Sequence, residues 1–173
     1  SLPQDGQGQG GSSQGGSSKE QSEKEQNASR ATEELTVALK EQIDQGLIEV
    51  EQRDGKVFVT VGSGGAFPSG TADLTAEAQR IMDRIALTAM SPDSSITVTG
   101  HTDDVPISNG QFRDNWDLGA GRAASVVQAI QNTGLISGDR LSAVSKGEMA
   151  PLADNNTAAG REQNRRIEIE ISY

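Results

Sequence analysis

Apolar residues recur along this chain with two different periods, and the switching between them predicts its elements. Leu35, Leu39 and Ile43, with Val37 nearby, keep helical spacing, which predicts a helix over Ala31–Gln45 stopped by Gly46. Ile48 and Val50, then Asp54-Gly55, then Val57, Val59 and Val61 form two alternating runs around a turn pair, a strong hairpin signal. Gly62–Gly70 reads as a loop. Asp73 or Thr75 can cap a helix whose buried stripe is Ala78, Ile81, Met82, Ile85 and Ala89, closed by Pro92. Ile96 and Val98 form a short strand that ends at Gly100, and a polar loop follows to about Asp114. Leu118, Ala123, Val126, Val127 and Ile130 mark a second long helix, ending near Gly134. Leu141–Ser145 is a weaker strand candidate, and Pro151–Gly160 reads as irregular. Ile167, Ile169 and Ile171 alternate with Glu168, Glu170 and Ser172 as a half-buried terminal strand.

From residue 47 the order is thus β-β-α-β-α-β-β. Strand–helix–strand crossovers imply some parallel pairing, and helices can cover one face of the sheet. The predicted fold class is α/β: a two-layer sandwich over residues 47–173, with a mixed sheet and helices on one face. An N-terminal helix (31–46) precedes it. Residues 1–30 are Gly/Ser/Gln-rich to Ser18 and then Glu, Lys, Gln and Arg, with almost nothing to bury. They read as a disordered linker, and a linker here implies something tethered before it.

The composition agrees with a partly unfolded chain: 33% of residues are hydrophobic and 20 are Gly. One Trp, one Tyr and three Phe leave the core to Val, Ile, Leu and Ala. A net charge of −10 disfavours nucleic acid and anionic membrane surfaces as partners, without excluding a local cationic pocket. There is no cysteine, so the redox compartment is left open. No apolar run approaches the roughly 18–20 residues needed to cross a bilayer.

Candidate chemistry gathers in three places. The loop after Val98 reads Gly100-His101-Thr102-Asp103-Asp104-Val105-Pro106-Ile107. The next helix opens Asn115-Trp116-Asp117-Leu118-Gly119-Ala120-Gly121-Arg122-Ala123, which puts Arg122 in its first turns. Asn155-Asn156-Thr157 and Gly160-Arg161-Glu162-Gln163-Asn164-Arg165-Arg166-Ile167-Glu168 place two arginines where the last strand begins. An aspartate on a loop and an arginine on the adjoining helix suit a zwitterion: carboxylate for ammonium, guanidinium fork for carboxylate. The plainer alternative, a salt bridge between the two that only ties loop to helix, stands beside it. Asp103 and Asp104 are adjacent and diverge, which argues against a hydrolytic carboxylate pair. A lone His101 with these two carboxylates is too small a set for a recognisable metal site, and no cofactor is expected. Trp116 can stack on a sugar, but a lone Trp at a helix start more often lids the core.

These blocks resemble the OmpA-like family of peptidoglycan-binding domains. Its pattern is Gly-His-Thr-Asp, then Asn-x-x-Leu-Ser-x-x-Arg-Ala, then Asn-x-Thr, then Gly-Arg-x-x-Asn-Arg-Arg-[Val/Ile]-Glu. All four blocks occur in order across roughly Phe67 to Ile171. The resemblance implies a noncatalytic wall binder in which Asp103 and Arg122 grip the diaminopimelate of the stem peptide. Asn115 and Arg165 are implied as secondary contacts, with Thr102 and Leu118 completing the binding set. The family's usual Ser after Leu118 is Gly119 here, and Gly121 follows, which predicts a helix that is loosened or starts late. The alternative is a close approach of the glycan strand or a partner to the backbone at these glycines.

Asp103–Ile107, Phe112–Leu118 and Gly65–Ala72 further resemble the B subunit of flagellar motor stators, the MotB/PomB group. That resemblance implies the periplasmic part of a single-pass inner-membrane protein that anchors the stator to the cell wall. A homodimer, the ion-channel A subunit and periplasmic motor ring proteins are its implied partners. A wall tether of the porin or lipoprotein (Pal) type, unconnected with motility, is the alternative.

Overall fold

The computed structural model describes residues 13–173, with side-chain surroundings from residue 18 onward. The elements are α1 (Ser13–Ala38), α2 (Lys40–Asp44), β1 (Ile48–Arg53), β2 (Lys56–Gly62), α3 (Ser63–Ala66), α4 (Ala76–Thr88), β3 (Ser95–His101), α5 (Asn115–Asn132), β4 (Leu141–Gly147), α6 (Ala158–Asn164) and β5 (Arg166–Ser172). The five strands form one sheet in the order β1-β2-β5-β3-β4. Only β3 and β4 are parallel; the other neighbours are antiparallel. The sheet is mixed, as its crossover pattern predicts.

Register explains the core. Val57, Val59 and Val61 on β2 pair with Ile171, Ile169 and Ile167 on β5. Those three in turn face Ile96, Val98 and Gly100 on β3. Because side chains alternate along a strand, the three central strands present one buried, apolar face. Glu168, Glu170, Thr60, Thr97 and Thr99 take the other face. Against the apolar face lie α1, α4 and α5, through Leu35, through Ile81, Met82 and Ile85, and through Val126 and Ile130, with Leu39 added from the junction of α1 and α2. The Asp54-Gly55 turn has both residues at positive φ, as a tight hairpin requires. Of the two candidate caps for α4, Thr75 is the one used, accepting from the Ala78 N–H.

Three expectations need correction. The first helix begins at Ser13, not Ala31, so residues 13–30 are helical where a disordered run was expected, and the expected 31–45 helix is divided at Leu39; residues 1–12 of the expected linker lie outside the described residues. The reason is that Ala28 and Ala31 are fully buried and extend the Leu35/Leu39 stripe by two turns. Gln52 also reaches this polar stretch: its amide donates to the Glu25 carbonyl and its oxygen accepts from Ser29. The second correction concerns Pro151–Gly160, which is not irregular throughout: Thr157 caps α6 by accepting from the Gly160 N–H. The third concerns α5, which runs unbroken from Asn115 to Asn132 despite its two glycines.

Those glycines are places of contact. A Cβ on Gly100 would lie 2.1 Å from the Gly119 carbonyl oxygen, and one on Gly119 would lie 3.0 Å from that of Gly100. Helix α5 therefore meets β3 backbone to backbone. The room that a side chain at 119 would need is held by the Ser145 hydroxyl, at 2.5 Å from such a Cβ. Gly121 likewise admits the Phe112 ring.

Replacing Gly100 by Ala should cost at least about 3 kcal/mol in urea unfolding, because two backbones cannot separate without disturbing both layers. Gly64→Ala, with open space around its Cβ, should change the midpoint little.

Candidate functional site

Three chain segments meet at the carboxyl ends of β3 and β4, where open α/β sheets usually bind their ligands. A register shift between Gly100 and His101 leaves Lys146 as an extra residue in β4. It brings the Gly147 carbonyl round to accept the Thr102 N–H at 2.9 Å. The Thr102 hydroxyl then donates to the Asp103 carbonyl at 2.8 Å. Asp103 is buried, and its carboxylate is committed on both oxygens: Oδ1 accepts from the Val105 N–H at 3.0 Å, Oδ2 from Arg165 at 2.7 Å.

Helix α5 enters under this loop. Its start is fixed by Asp114, whose side chain accepts from the Asp117 N–H, and by a two-pronged Arg113–Asp117 pair at 2.7 and 2.9 Å. The Arg113 guanidinium holds the Asp117 carboxyl down to about 2. From that fixed start, the buried Asn115 amide donates to the carbonyls of Asp103 and Val105 at 3.3 and 3.1 Å. Leu118 is buried one turn later. Arg122 follows, its residue only 5% exposed.

Arg122 and Asp103 form no ion pair, so the plain loop-to-helix bridge is not what the structure contains. Arg122 Nε donates to the Thr71 carbonyl at 2.8 Å, and its guanidinium lies 4.9 Å from the Phe67 ring centroid. Its terminal nitrogens make no hydrogen bond among the described residues. Burial, joined by repulsion from Arg165 and opposed by attraction to Asp103, brings its pKa down to about 10. It is thus a buried cation, still charged at neutral pH, with both terminal nitrogens uncommitted among the described residues. An arrangement of this kind binds carboxylates well and is costly when empty.

All six residues expected at the site, Thr102, Asp103, Asn115, Leu118, Arg122 and Arg165, are buried or half-buried at one end of the sheet. Phe67 and Thr71, which back and aim Arg122, carried no sequence signal of their role, since one works through its ring and the other through its carbonyl. The neighbouring motif residues turn elsewhere. Arg166 lies on the opposite face from Arg165, donating to Glu168 at 2.8 Å and to the carbonyls of Asn164 and Ala150. Asn164, fully buried, accepts from the N–H groups of Leu152 and Ala153. His101 Nε2 stands 3.2 Å from Glu168 Oε2 without the alignment of a hydrogen bond. Asp104 is exposed, and among the described residues no three His, Asp or Glu side chains are grouped to hold a metal ion. Trp116 does not lid the core: it is 47% exposed.

A sequence-family model described as the OmpA family matches residues 66–165. The chain belongs to the OmpA family. It is 32% identical over 125 residues to "Motility protein B" of Bacillus subtilis, a match covering 72% of this chain and 48% of that protein. The chain therefore spans about half the length of this curated relative. Among solved structures, the cell wall anchor of the T6SS from Pseudomonas aeruginosa superposes with a TM-score of 0.73 at 31% identity, covering 80% of this chain and 96% of that one. The periplasmic domain of Helicobacter pylori MotB (residues 78–256) gives a TM-score of 0.66 at 27% identity, covering 72% and 81%.

Two predictions follow from the electrostatics. His101 and then Arg166, against the opposing effect of partial burial, hold the Glu168 carboxyl down to about 2. A carboxyl below its ordinary value stabilises the fold above that value. Glu168→Gln should therefore destabilise the protein at pH 7, and the gap to wild type should close as pH falls from 4.5 towards 2, read by thermal melts. For Arg122 the sign is reversed. A buried cation with a lowered pKa opposes folding at neutral pH, so Arg122→Met should leave the melting temperature unchanged or raise it.

Proposed function

We propose that this chain binds peptidoglycan noncovalently through the site at the ends of β3 and β4, and so anchors a flagellar motor stator to the cell wall. The observation that carries the reading is Arg122: a buried guanidinium with no acidic partner of its own, beside an aspartate that already holds another cation. Diaminopimelate in a stem peptide offers a free zwitterionic end. Its carboxylate would take the free Arg122 donors, and its ammonium would share Asp103 with Arg165 or displace it. Asn115 and Thr102 keep the loop carbonyls in place, and Leu118 is buried one turn along the same helix. Affinity would rest on a few charge-assisted hydrogen bonds, which suits an anchor that must hold against torque yet can release.

Similarity to Motility protein B and to a MotB periplasmic domain supports the motor setting. In that setting the chain is the periplasmic part of a protein held in the inner membrane by a single helix. It works as a dimer beside an ion-channel A subunit, within reach of the periplasmic motor rings. No helix among the described residues is long and apolar enough to cross a membrane. A second reading, a wall tether unconnected with motility, draws support from the likeness to a secretion-system wall anchor over nearly all of that chain's length. Swimming decides between them: loss of motility in cells carrying Asp103→Ala supports the motor setting, and full motility supports the tether.

Asp103→Ala and Arg122→Met should each abolish sedimentation with insoluble peptidoglycan while leaving the circular dichroism spectrum intact. Arg122→Lys keeps the charge but not the fork, and should weaken binding by about tenfold or more. Sedimentation of all three variants at the wild-type level would overturn the site.

A further inference from the structure

Trp116 is the chain's only tryptophan, and it lies nearly half exposed although Asn115 before it and Leu118 two residues after it are buried. It is held without being covered. One side of the indole rests on Gly147, where a Cβ would lie 3.3 Å from Trp116 Cδ2. Its carbonyl accepts from the Ser145 hydroxyl at 2.8 Å, and the same hydroxyl accepts from the Gly147 N–H at 3.2 Å. Gly147 sits at φ +52, a conformation that favours glycine, so the residue beneath the ring is small for two separate reasons. The result is a rigid aromatic plate, packed beneath and open above.

Its position follows from strand order. At this end of the sheet the neighbours run β5, β3, β4. Arg165 precedes β5, Thr102 and Asp103 follow β3, and Gly147 with Trp116 above it closes β4. Charged groups and aromatic plate therefore stand in a row across adjacent strand ends. Strands lie about 4.8 Å apart, so the row from Arg165 to Gly147 spans about 10 Å, the scale of a sugar ring beside a short peptide. Gly147 also joins the two halves directly, since its carbonyl accepts from Thr102, the residue before Asp103.

We propose that Trp116 is a sugar-stacking subsite that receives a pyranose ring of the glycan strand while the stem peptide occupies Asp103 and Arg122. The inference rests on the peptidoglycan reading above and extends it from peptide to glycan. The apolar CH face of an N-acetylated sugar is a match for an exposed, immobilised indole, and fixing the ring in advance removes an ordering cost on binding. Such a subsite would let the domain discriminate wall polymer from free peptide fragments, which a zwitterion clamp alone cannot do.

The test uses two soluble probes: a disaccharide–tetrapeptide muropeptide containing diaminopimelate, and the same tetrapeptide without sugars. Trp116→Ala should weaken the muropeptide by about tenfold and leave the free peptide within about twofold, with Trp116→Phe between wild type and Ala for the muropeptide. As the single tryptophan, Trp116 should also report the contact itself: its fluorescence should shift with the muropeptide and not with the peptide. Equal losses for both probes would make Trp116 a structural residue and overturn the proposal. So would muropeptide affinity unchanged in Trp116→Ala, or a fluorescence shift with a peripheral protein partner and none with sugar. Asp103→Ala separates the two levels: if it binds both probes like wild type, the peptide site itself is wrong; if it loses both while Trp116→Ala loses neither, only the sugar subsite is.

Discussion

The contact on which this structure turns is between two glycines. Gly100 at the end of β3 and Gly119 in the second turn of α5 bring a strand and a helix together at main-chain distance, with no side chain between them. Helix and sheet layers normally stand apart by the thickness of a packed side-chain layer. Removing that layer at one point tilts the start of α5 into the end of the sheet. There the Asn115 amide can reach the Asp103 and Val105 carbonyls, and Arg122 can reach the Thr71 carbonyl between α3 and α4. A glycine pair that weakens helix propensity on paper is thus the condition for the site's geometry.

A second constraint is electrostatic. The site keeps a guanidinium out of water with only a carbonyl and a ring face for company. Its pKa, brought down to about 10 chiefly by burial, marks a group that the fold holds at a cost. Stored electrostatic cost of this kind is returned when a carboxylate arrives, which separates binding strength from folding stability and sets the two in opposition at one residue. Asp103 is the counterpart: its oxygens are already satisfied by Val105 and Arg165, so in the proposed binding mode a ligand ammonium would compete with a resident cation. The unequal state of the two groups suits exchange better than permanent capture.

Alternation along β5 divides two consecutive arginines between two tasks. Arg165 reaches the loop and Asp103, whereas Arg166, 3% exposed, spends its donors on Glu168 and two carbonyls. Arg166 and Asn164 tie the start of β5 to the loop from Ala150 to Asn155, and so fix the backbone from which Arg165 projects. The Gly-Arg-x-x-Asn-Arg-Arg-Ile-Glu run is therefore largely a framework for a single contact with the site.

Periodicity alone determined the strands, the two central helices and the aliphatic core, because burial on one face imposes a period that sequence cannot hide. Motif order determined which residues gather at the site, and all six do. Much else was decided by tertiary structure. The extension of α1 back to Ser13 depended on two buried alanines and a hairpin side chain, neither of which is an apolar stripe of its own. Gly119 and Gly121 gave opposite signals read as helix propensity and as packing, and packing prevailed, since a backbone contact in the second layer is invisible to local sequence. The partner of Asp103 is Arg165 and not Arg122, because sequence gives the types of charge present while only the fold fixes their distances. Trp116, which its place at a helix start would make a lid on the core, instead lies half exposed over Gly147 at the end of another strand, a position only the fold fixes.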